Sequence, residues 1–366
     1  MKETKKNKAN EFLGSLLFTK NLKASGFFEP IVSIFLAFLF GSIVILLIGE
    51  NPLSTYKLMF GGAFGSLANI TNTFNKVTTL TLTGLSYAFA FRCGMVNIGA
   101  EGQLYIGALC SSIVVLRVPG PAPLVILLAL LAGFLGGGLF GLLIGFLKVT
   151  FGANEVITTV MLNYVAQYLV LWAISGPIKD PNSLTAQTAV FEESYWLPSI
   201  FPGTKIQCGI LLMVASLIFF GIFLWKMVAG FEMQVVGQNS SAAAYAGVNV
   251  KKNRLLSMFL AGGFGGLAGA IEVLGVQHRL LKGVSSNYGF DGIAVALLGN
   301  NTPIGMFLSG ILIGAMKSGG NNVQMFSKVP SSVVDLIRAL MIVFVLVNAL
   351  HRFLKKREMR RDLLNV

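Results

Sequence analysis

The chain has 366 residues, of which 54% are hydrophobic and only 12% are charged, and its formal net charge is +13. A soluble domain carries about twice this share of charged residues, so the composition excludes an ordinary soluble globular domain. Lysines and arginines cluster before the first long apolar stretch and after the last one. This is the positive-inside pattern of membrane proteins, and on that ground we exclude a nucleic-acid partner.

Apolar segments recur along the chain and indicate an all-α, polytopic membrane protein that lies in the lipid bilayer. We predict about ten transmembrane helices, with interruptions in some of them, because several apolar segments are too short to cross a bilayer alone. They lie at residues 31–49, 77–91, 104–116, 119–147, 156–173, 208–225, 255–276, 292–298, 304–315 and 333–350. Longer polar stretches lie at residues 176–207 and 226–254.

The basic residues also set the orientation. With the N-terminus inside, lysines and arginines on the inner side outnumber those on the outer side, which favours two cytoplasmic termini in the cytoplasmic (inner) cell membrane. We therefore predict a cytoplasmic tail or amphipathic segment at residues 1–30 and a transmembrane domain at residues 31–350. Its longest inner loop is 226–254, and a basic cytoplasmic tail follows at 351–366.

The fourth apolar segment carries a row of glycines with a spacing of four residues, at Gly133, Gly137, Gly141 and Gly145. Such a row lies on one face of a helix and lets the backbone of a neighbouring helix approach closely. The sequence predicts a tight helix contact here, either within the chain or between two chains.

Two polar interruptions separate apolar segments. The first, residues 92–103, carries amide and carboxyl side chains among glycines, and the second is residues 299–303. Backbone groups freed at membrane depth must face protein or water, and interrupted helices mark the solute sites of transporters. The first is therefore either a surface loop or a break that lines a path, and the second is either a similar break or an ordinary turn.

Charged side chains within the spans are few: Glu155, Glu272 and the pair Asp335 and Arg338, which are spaced for an ion pair on one helix face. All lie near predicted helix ends, where charge is tolerated at the membrane surface. No chain of buried carboxyl or histidine groups suits a proton relay, which disfavours a proton-driven carrier. Three scattered cysteines and two separate histidines give neither a disulfide framework nor a metal site.

The inner loop 226–254 contains a short helix of small residues around Tyr245, with Asn239 or Ser240 at its start and Gly247 at its end. Such a helix suits a groove on a partner protein, although a plain connector is the alternative. The chain has no phosphate-binding loop, nucleophile elbow or zinc-protease motif. If the protein pumps, a separate polypeptide hydrolyses the ATP.

Residues 91–103 read Phe-Arg-Cys-Gly-Met-Val-Asn-Ile-Gly-Ala-Glu-Gly-Gln and closely resemble the signature of nucleoside and simple-sugar ABC transporter permeases. These belong to the superfamily that includes the ribose and branched-chain amino acid permeases. Residues 152–164 (Gly-Ala-Asn-Glu-Val-Ile-Thr-Thr-Val-Met-Leu-Asn-Tyr) resemble a second block of this family. Residues 236–239 (Val-Gly-Gln-Asn) and 243–247 (Ala-Ala-Tyr-Ala-Gly) resemble its ATPase-coupling loop. The resemblance covers residues 30–350 and implies a fold like that of type II ABC importers.

The resemblance implies a transport subunit and not an enzyme, with no catalytic residue, metal or cofactor on this chain. ATP and magnesium are then used by a cytoplasmic ABC ATPase. A second permease chain, either a paralogue or an identical copy, and an extracytoplasmic solute-binding (lipo)protein complete the importer. The implied solute is a neutral nucleoside, guanosine-like, or a simple sugar.

The matching segments also supply two sets of candidate site residues. The amides and rings suit hydrogen bonding and stacking with a polyhydroxylated solute. Candidate solute-path residues are Phe91, Asn97, Glu101, Gln103, Asn154, Asn163, Tyr164, Asn300 and Asn301. Candidate ATPase-coupling residues are Gly237, Asn239, Ala243, Tyr245, Ala246 and Gly247.

Two other classes of function remain open. A stand-alone secondary transporter or channel for a small polar solute is the second hypothesis, and the lack of relay charges disfavours it. A membrane-embedded enzyme is the third, and it would need a cluster of polar catalytic residues that the sequence does not offer.

Overall fold

The computed structural model describes residues 28–200, 205–344 and 347. Regular structure in these residues is helical, apart from isolated bridges between Gln187 and Leu281 and between Ser199 and Gln207. The predicted all-α fold is thus confirmed. Residues 1–27 and 348–366 lie outside the described part, and with them nearly all of the predicted N-terminal tail and the whole basic C-terminal tail.

Thirteen α-helices follow one another in the described residues. In chain order they are α1 (Phe28–Leu47), α2 (Pro52–Phe64), α3 (Leu67–Arg92), α4 (Ala100–Arg117), α5 (Ala122–Phe151), α6 (Glu155–Ser175), α7 (Gly209–Lys226), α8 (Val228–Gln238), α9 (Ser240–Tyr245), α10 (Val250–Ile271), α11 (Tyr288–Leu298), α12 (Pro303–Phe326) and α13 (residues 331–344). A π-helix, Glu272–Gln277, continues α10 without a break.

Four of the described helices are long and apolar enough to cross a membrane by themselves: α5, α6, α7 and α10 with its π-helix. The bent pair α1 and α2, whose axes differ by 116°, gives a fifth candidate. Helices α3, α4 and α12 have 26, 18 and 24 residues, which is also enough to cross, but they carry more polar side chains. Most of the residues of α3 and α4 are buried among other helices. The protein is therefore a multi-pass membrane protein.

The structure corrects the bounds of two predicted spans and adds a helix. The second predicted span is not short, because α3 begins at Leu67, ten residues before the apolar run. Polar residues do not end it, because the threonines of its early turns find acceptors. Thr71 Oγ1 donates to the Leu67 carbonyl oxygen of the same helix at 2.8 Å, and Thr73 Oγ1 donates to the Ala63 carbonyl oxygen of α2 at 2.9 Å. The ninth span is also longer, since α12 reaches Phe326. Helix α2 lies between the first two predicted spans, at residues that no predicted span covers.

The glycine row of α5 packs against α10 of the same chain. A Cβ atom at Gly137 or Gly141 would overlap the backbone of Gly262, and one at Gly133 would lie 2.6 Å from Cβ of Ala270. Gly266 on α10 meets the row from the other side. The predicted tight contact is confirmed, and it lies within the chain. It holds α5 against α10 in the central bundle that α3, α4, α5 and α10 form.

The first predicted interruption is a short turn. Helix α3 ends at Arg92 and α4 begins at Ala100, so Glu101 and Gln103 are helical and not part of a loop. The turn needs a left-handed residue, which Gly94 supplies with φ of 74°. The surface-loop interpretation is wrong, because Cys93, Met95 and Asn97 in the turn are buried.

Helix α11 is a half-length helix that begins deep in the protein, and its 11 residues confirm the predicted short eighth span. Thr83, in the second half of α3, donates to the Tyr288 carbonyl oxygen at 3.0 Å. Glu101 Oε2 accepts from the Gly289 amide at 2.8 Å, at the N-terminus of α11, where a carboxylate complements the helix dipole. The irregular segment 278–287 reaches this depth before α11 begins, as in the interrupted helices of transporters.

The long segment between α6 and α7 holds the irregular segment 278–287 in place. The amide of Thr188 donates to the Leu280 carbonyl oxygen at 3.1 Å, and the amide of Leu280 donates to Thr188 Oγ1 at 3.0 Å. The ring of Trp196 stacks on that of His278, with centroids 3.8 Å apart. The outer segment thereby fixes the chain that leads from the π-helix to α11.

Candidate functional site

Two adjoining cavities open between α3, the π-helix, α11, α12 and α13. The first, of about 490 Å³, is lined by residues of α2, α3, the π-helix and α12. The second, of about 620 Å³, lies between α11, α12 and α13. Both volumes fall in the range of small-molecule sites. Ser286 and Asn321 line both, so the two cavities adjoin at these residues.

The smaller cavity is rich in side-chain amides, and we call it the amide-lined cavity. Three of the amides recur every third residue on one face of α3, and the others come from the π-helix and α12. These amides are Asn69, Asn72, Asn75, Gln277, Asn321 and Asn322. Amides offer both donors and acceptors without net charge, which suits a neutral polar solute.

The amides divide into structural and free ones. Asn69 donates to the Gly61 carbonyl oxygen at 3.1 Å, Asn75 to that of Lys205 at 3.0 Å and Asn322 to that of Leu58 at 2.9 Å. Asn72 and Asn321 make no side-chain hydrogen bond to any described residue, and both are exposed. These two amides are therefore free to bond a solute.

The amide-lined cavity also contains two charged groups, from Glu272 and Lys76. Glu272 is 2% exposed. Its Oε2 accepts from Thr79 Oγ1 at 2.8 Å, and its Oε1 accepts from Gln277 Nε2 at 3.2 Å. Lys76 Nζ donates to the Lys317 carbonyl oxygen at 3.3 Å. Opposite charges thus face the same space.

The larger cavity is lined by a network of ion pairs, and we call it the ion-pair cavity. Asp291 Oδ2 accepts from Lys317 Nζ at 2.6 Å and from Arg338 Nη1 at 2.8 Å. Arg338 also pairs with Asp335, as the sequence predicts. The network joins α11, α12 and α13.

The interpretation that charge is sparse and confined to helix ends is wrong. Glu272 is buried, and Lys76, Asp291 and Lys317 face the cavities from within the protein. Sequence reasoning missed this because α3 and α12 extend further than their apolar cores. The cationic and anionic groups that line the two cavities balance, so the cavity walls carry no formal net charge.

The family of the chain follows from comparison with known proteins. Residues 69–346 match the model of the family described as "Branched-chain amino acid transport system / permease component". That match covers most of the chain, including every helix that borders the two cavities except α2. The chain belongs to this permease family. It is a transport subunit, the permease component of an ABC transport system, and not an enzyme.

Several curated proteins are similar to the permease over most of their length. A guanosine ABC transporter permease protein, NupP of Bacillus subtilis, is 38% identical over 86% of this chain and 92% of its own. A nucleoside ABC transporter permease protein, NupB of Lactococcus lactis, is 32% identical over 89% and 92%. A glucose ABC transporter permease protein, TsgB13 of Haloferax volcanii, is 30% identical over 87% and 86%. No solved structure matches the chain.

The solute-path residues predicted from the signature do not line either cavity. Asn97 Nδ2 donates to Ser86 Oγ and to Gln103 Oε1, both at 3.0 Å, in a buried network that joins α3, the turn and α4. Asn163 accepts from the Gly102 amide at 2.8 Å and donates to the Ile98 carbonyl oxygen at 3.0 Å. These bonds fix the packing of α4 and α6.

The remaining predicted path residues are dispersed. Asn154 caps α6 by accepting from the Val156 amide at 3.0 Å. Phe91 and Tyr164 are 45% and 54% exposed. Asn300 and Asn301 form the left-handed turn before α12, which is the second predicted interruption. Contact with solute stays a prediction for all nine residues.

The inner loop of the permease forms helices α8 and α9. Asn239 caps α9, its Oδ1 accepting from the amides of Ser241 and Ala242 at 3.1 and 3.0 Å, and Gly247 is left-handed with φ of 84°. The predicted short helix is confirmed. Ala243 is buried, whereas Tyr245 is 95% exposed and, with Ala246 and Gly247, forms an outward surface.

Gly237 connects this loop to the turn between α3 and α4, residues 93–99, which we call the signature turn. A Cβ atom on Gly237 would overlap the Arg92 carbonyl oxygen and lie 3.0 Å from the Gly94 amide nitrogen. Backbone therefore packs directly on backbone between α8 and the turn after α3. Among the predicted coupling residues, Gly237 packs inward against the turn after α3, and Tyr245 faces outward. A coupling role stays a prediction for these residues.

The sequence contains a signal for the cavity residues that the motif comparison missed. Asn69, Asn72 and Asn75 follow helical spacing immediately before an apolar run, and a second pair of amides closes α12 at Asn321 and Asn322. Amides at helical spacing next to a span indicate a polar face. That α3 and α12 bring these faces together depends on tertiary packing.

Proposed function

We propose that this permease is the membrane subunit of a binding-protein-dependent ABC importer that carries a neutral nucleoside, guanosine-like, through the amide-lined cavity. The observation that carries the proposal is the wall of that cavity, which combines free amides with charges that balance. A nucleoside has hydroxyls, ring nitrogens and exocyclic groups that need many hydrogen-bond partners and no net charge. The cavity supplies this chemistry.

The relatives support a nucleoside solute. The two with the highest identity quoted above carry guanosine and nucleoside in their names. A simple sugar is the second candidate, because the permease is also 30% identical to a glucose permease protein. The free amides of Asn72 and Asn321 suit the hydroxyls of either solute.

We propose three protein partners. A cytoplasmic ABC ATPase, which uses ATP and magnesium, docks on the outward surface of α9 formed by Tyr245, Ala246 and Gly247. A second permease chain, a paralogue or an identical copy, pairs with this one in the membrane. An extracytoplasmic solute-binding lipoprotein delivers the solute to the cavities. Both termini are then cytoplasmic, and the assembly lies in the cytoplasmic cell membrane.

Reconstitution tests the proposal. The permease is co-expressed with a candidate ATPase, second permease and binding lipoprotein from the same genome, and the complex is placed in proteoliposomes. We expect ATP-dependent accumulation of labelled guanosine by the complete complex and none by the permease alone. Uphill uptake by the permease alone would favour a secondary transporter. Uptake of glucose without any nucleoside uptake would move the solute assignment to a sugar.

A further inference from the structure

The amide-lined cavity contains a carboxylate and an ammonium group that a merely neutral, hydroxylated solute does not require. We propose that Glu272 and Lys76 recognise the base of the nucleoside and select purines with a 6-oxo group, guanine above hypoxanthine. This inference rests on the proposed function, because it concerns the solute of the same cavity.

Glu272 has acceptor capacity to spare. Each carboxylate oxygen can accept about two hydrogen bonds. Within the described structure Oε2 accepts one, from Thr79 at 2.8 Å, and Oε1 accepts one, from Gln277 at 3.2 Å. These two donors fix the orientation of the carboxylate and leave one acceptor position on each oxygen. A pair of adjacent N–H donors fits such an arrangement.

Lys76 has donor capacity to spare on the same helix face as Thr79. An ammonium group carries three N–H donors, and in the described structure Lys76 uses one of them, toward the Lys317 carbonyl oxygen at 3.3 Å. Lys76 and Thr79 are three residues apart on α3, and Thr79 bonds Glu272 directly. The free donors of Lys76 and the free acceptor positions of Glu272 therefore border the same part of the cavity.

Guanine has the complementary edge. Its N1–H and 2-amino group are adjacent donors for the carboxylate, and its O6 is an acceptor for the ammonium group. Hypoxanthine keeps O6 and N1–H but lacks the 2-amino donor. Adenine presents a donor at position 6 and an acceptor at N1, which places donor against Lys76 and acceptor against Glu272. Adenine would thus place donor against donor and acceptor against acceptor, and unpaired buried polar groups allow a polar site to reject an analogue.

Contacts around Glu272 hold its carboxylate in a fixed position. The residue is the first of the π-helix Glu272–Gln277. π-Helices are rare in proteins, and those that occur are often at functional sites. Gln207 from the outer segment bonds the Gly275 carbonyl oxygen and so clamps this turn. Gln277, at its end, returns to the Glu272 carboxylate. The carboxylate is thus held by its own helix on one side and by α3 on the other.

The experiment compares solutes in the complete transporter, because the binding lipoprotein also contributes to selection. Maximal uptake rates at saturating binding protein are measured for guanosine, inosine and adenosine with Glu272→Gln, Lys76→Met and the wild type. We expect Glu272→Gln to lower the guanosine-to-inosine ratio roughly tenfold, as for loss of a hydrogen bond to a charged group. We expect Lys76→Met to lower guanosine and inosine together, relative to adenosine, by a similar factor.

Glu155→Gln is the control. Glu155 is a carboxylate at the start of α6 that pairs with Lys148 at 2.6 Å and lines neither cavity. Its replacement is expected to keep the ratios between solutes, whatever it does to the rate. Unchanged ratios in both cavity variants would overturn the base-recognition inference while leaving nucleoside import intact. A wild-type transporter that carries no nucleoside would instead overturn the proposed function. If Glu272→Gln fails to fold, Lys76→Met decides alone.

Discussion

Arg92, at the end of α3, donates from Nη2 to the main-chain carbonyl oxygen of Asn301 at 2.8 Å. The bond joins the signature turn to the turn between α11 and α12, in which Asn300 and Asn301 both have left-handed backbone conformations. The guanidinium also lies over the ring of Trp225 on α7, at 6.0 Å. Helices α3 and α7 and the turn between α11 and α12 therefore meet at one cation.

Replacing Arg92 by alanine is expected to weaken coupling. A hydrogen bond from a charged donor contributes about 1.5–3 kcal/mol, so solute-stimulated ATP hydrolysis by the complex should fall roughly tenfold or more. The ATPase should still co-purify, because α9 is untouched. ATPase assays with and without solute and binding protein measure the effect. Arg117→Ala is the control, since Arg117 donates an exposed hydrogen bond of 3.4 Å to the Pro177 carbonyl oxygen and makes no other side-chain hydrogen bond to a described residue. Equal loss in both variants would contradict the role of Arg92.

Gly237→Ala is expected to separate α8 from the signature turn. The added methyl group meets the backbone of Arg92 and Gly94, which cannot rotate away as a side chain can. Overpacking of this kind costs about 1–3 kcal/mol, so the melting temperature and the coupled ATPase rate should both fall. Gly221→Ala is the matched change, because the nearest atom there is a Pro303 side-chain carbon at 3.5 Å. A variant at Gly237 as stable and as active as that control would refute the backbone contact.

Tyr245→Ala tests the ATPase surface on α9. An exposed aromatic ring on a capped helix is a typical interface anchor, and its loss is expected to weaken ATPase binding by roughly tenfold or more. Deleting residues 242–247 should abolish co-purification of the ATPase and leave membrane insertion unchanged. Leu184→Ala, at a fully exposed position in the outer segment, is the control. Persistent tight ATPase binding after the deletion would rule out α9 as the docking element.

Asp291→Asn is expected to destabilise the fold far more than Asp335→Asn. Asp291 balances both Lys317 and Arg338, whose side chains are largely buried. Neutralising it removes the carboxylate partner of Lys317 and leaves Arg338 with the exposed Asp335 alone. Loss of one partner of a buried pair costs about 3–5 kcal/mol. Asp335 is 60% exposed, and its pair with Arg338 contributes about 0–1 kcal/mol. Thermal unfolding of the purified permease in detergent compares the two variants. Similar melting temperatures would contradict the assignment of Asp291 as the centre of the network.

Local signals in the sequence predicted much of the architecture. The four-residue glycine spacing on α5 is sufficient to indicate close helix packing, and Asn239 and Gly247 are sufficient to delimit α9. These features depend on residues near one another in the chain. The bounds of α3 could not be predicted in the same way. Some hydroxyls of its polar first half bond within the helix, as at Thr71, and others bond neighbouring helices, as at Thr73, which depends on tertiary packing.

The candidate site was less accessible to sequence reasoning. The signature residues Asn97 and Gln103 look like solute ligands, yet in the fold their amides bond each other and Ser86. The cavity instead combines Asn72, Glu272 and Asn321, which lie on three distant helices. No local pattern in the sequence predicts that these helices meet. Glu272 lies near the end of its predicted span, so the sequence indicates a carboxylate at the membrane surface although the residue is buried.

The central claim is that solute passes through the amide-lined cavity, and thiol labelling tests it most directly. Asn72→Cys and Asn321→Cys are introduced into a complete transporter whose three native cysteines, Cys93, Cys110 and Cys208, are replaced by serine. A membrane-impermeant thiol reagent is then applied from outside. We predict that labelling stops guanosine uptake and that guanosine with binding protein slows the labelling, whereas labelled Leu184→Cys transports normally. Full labelling of Asn72→Cys and Asn321→Cys with undiminished uptake would contradict the account.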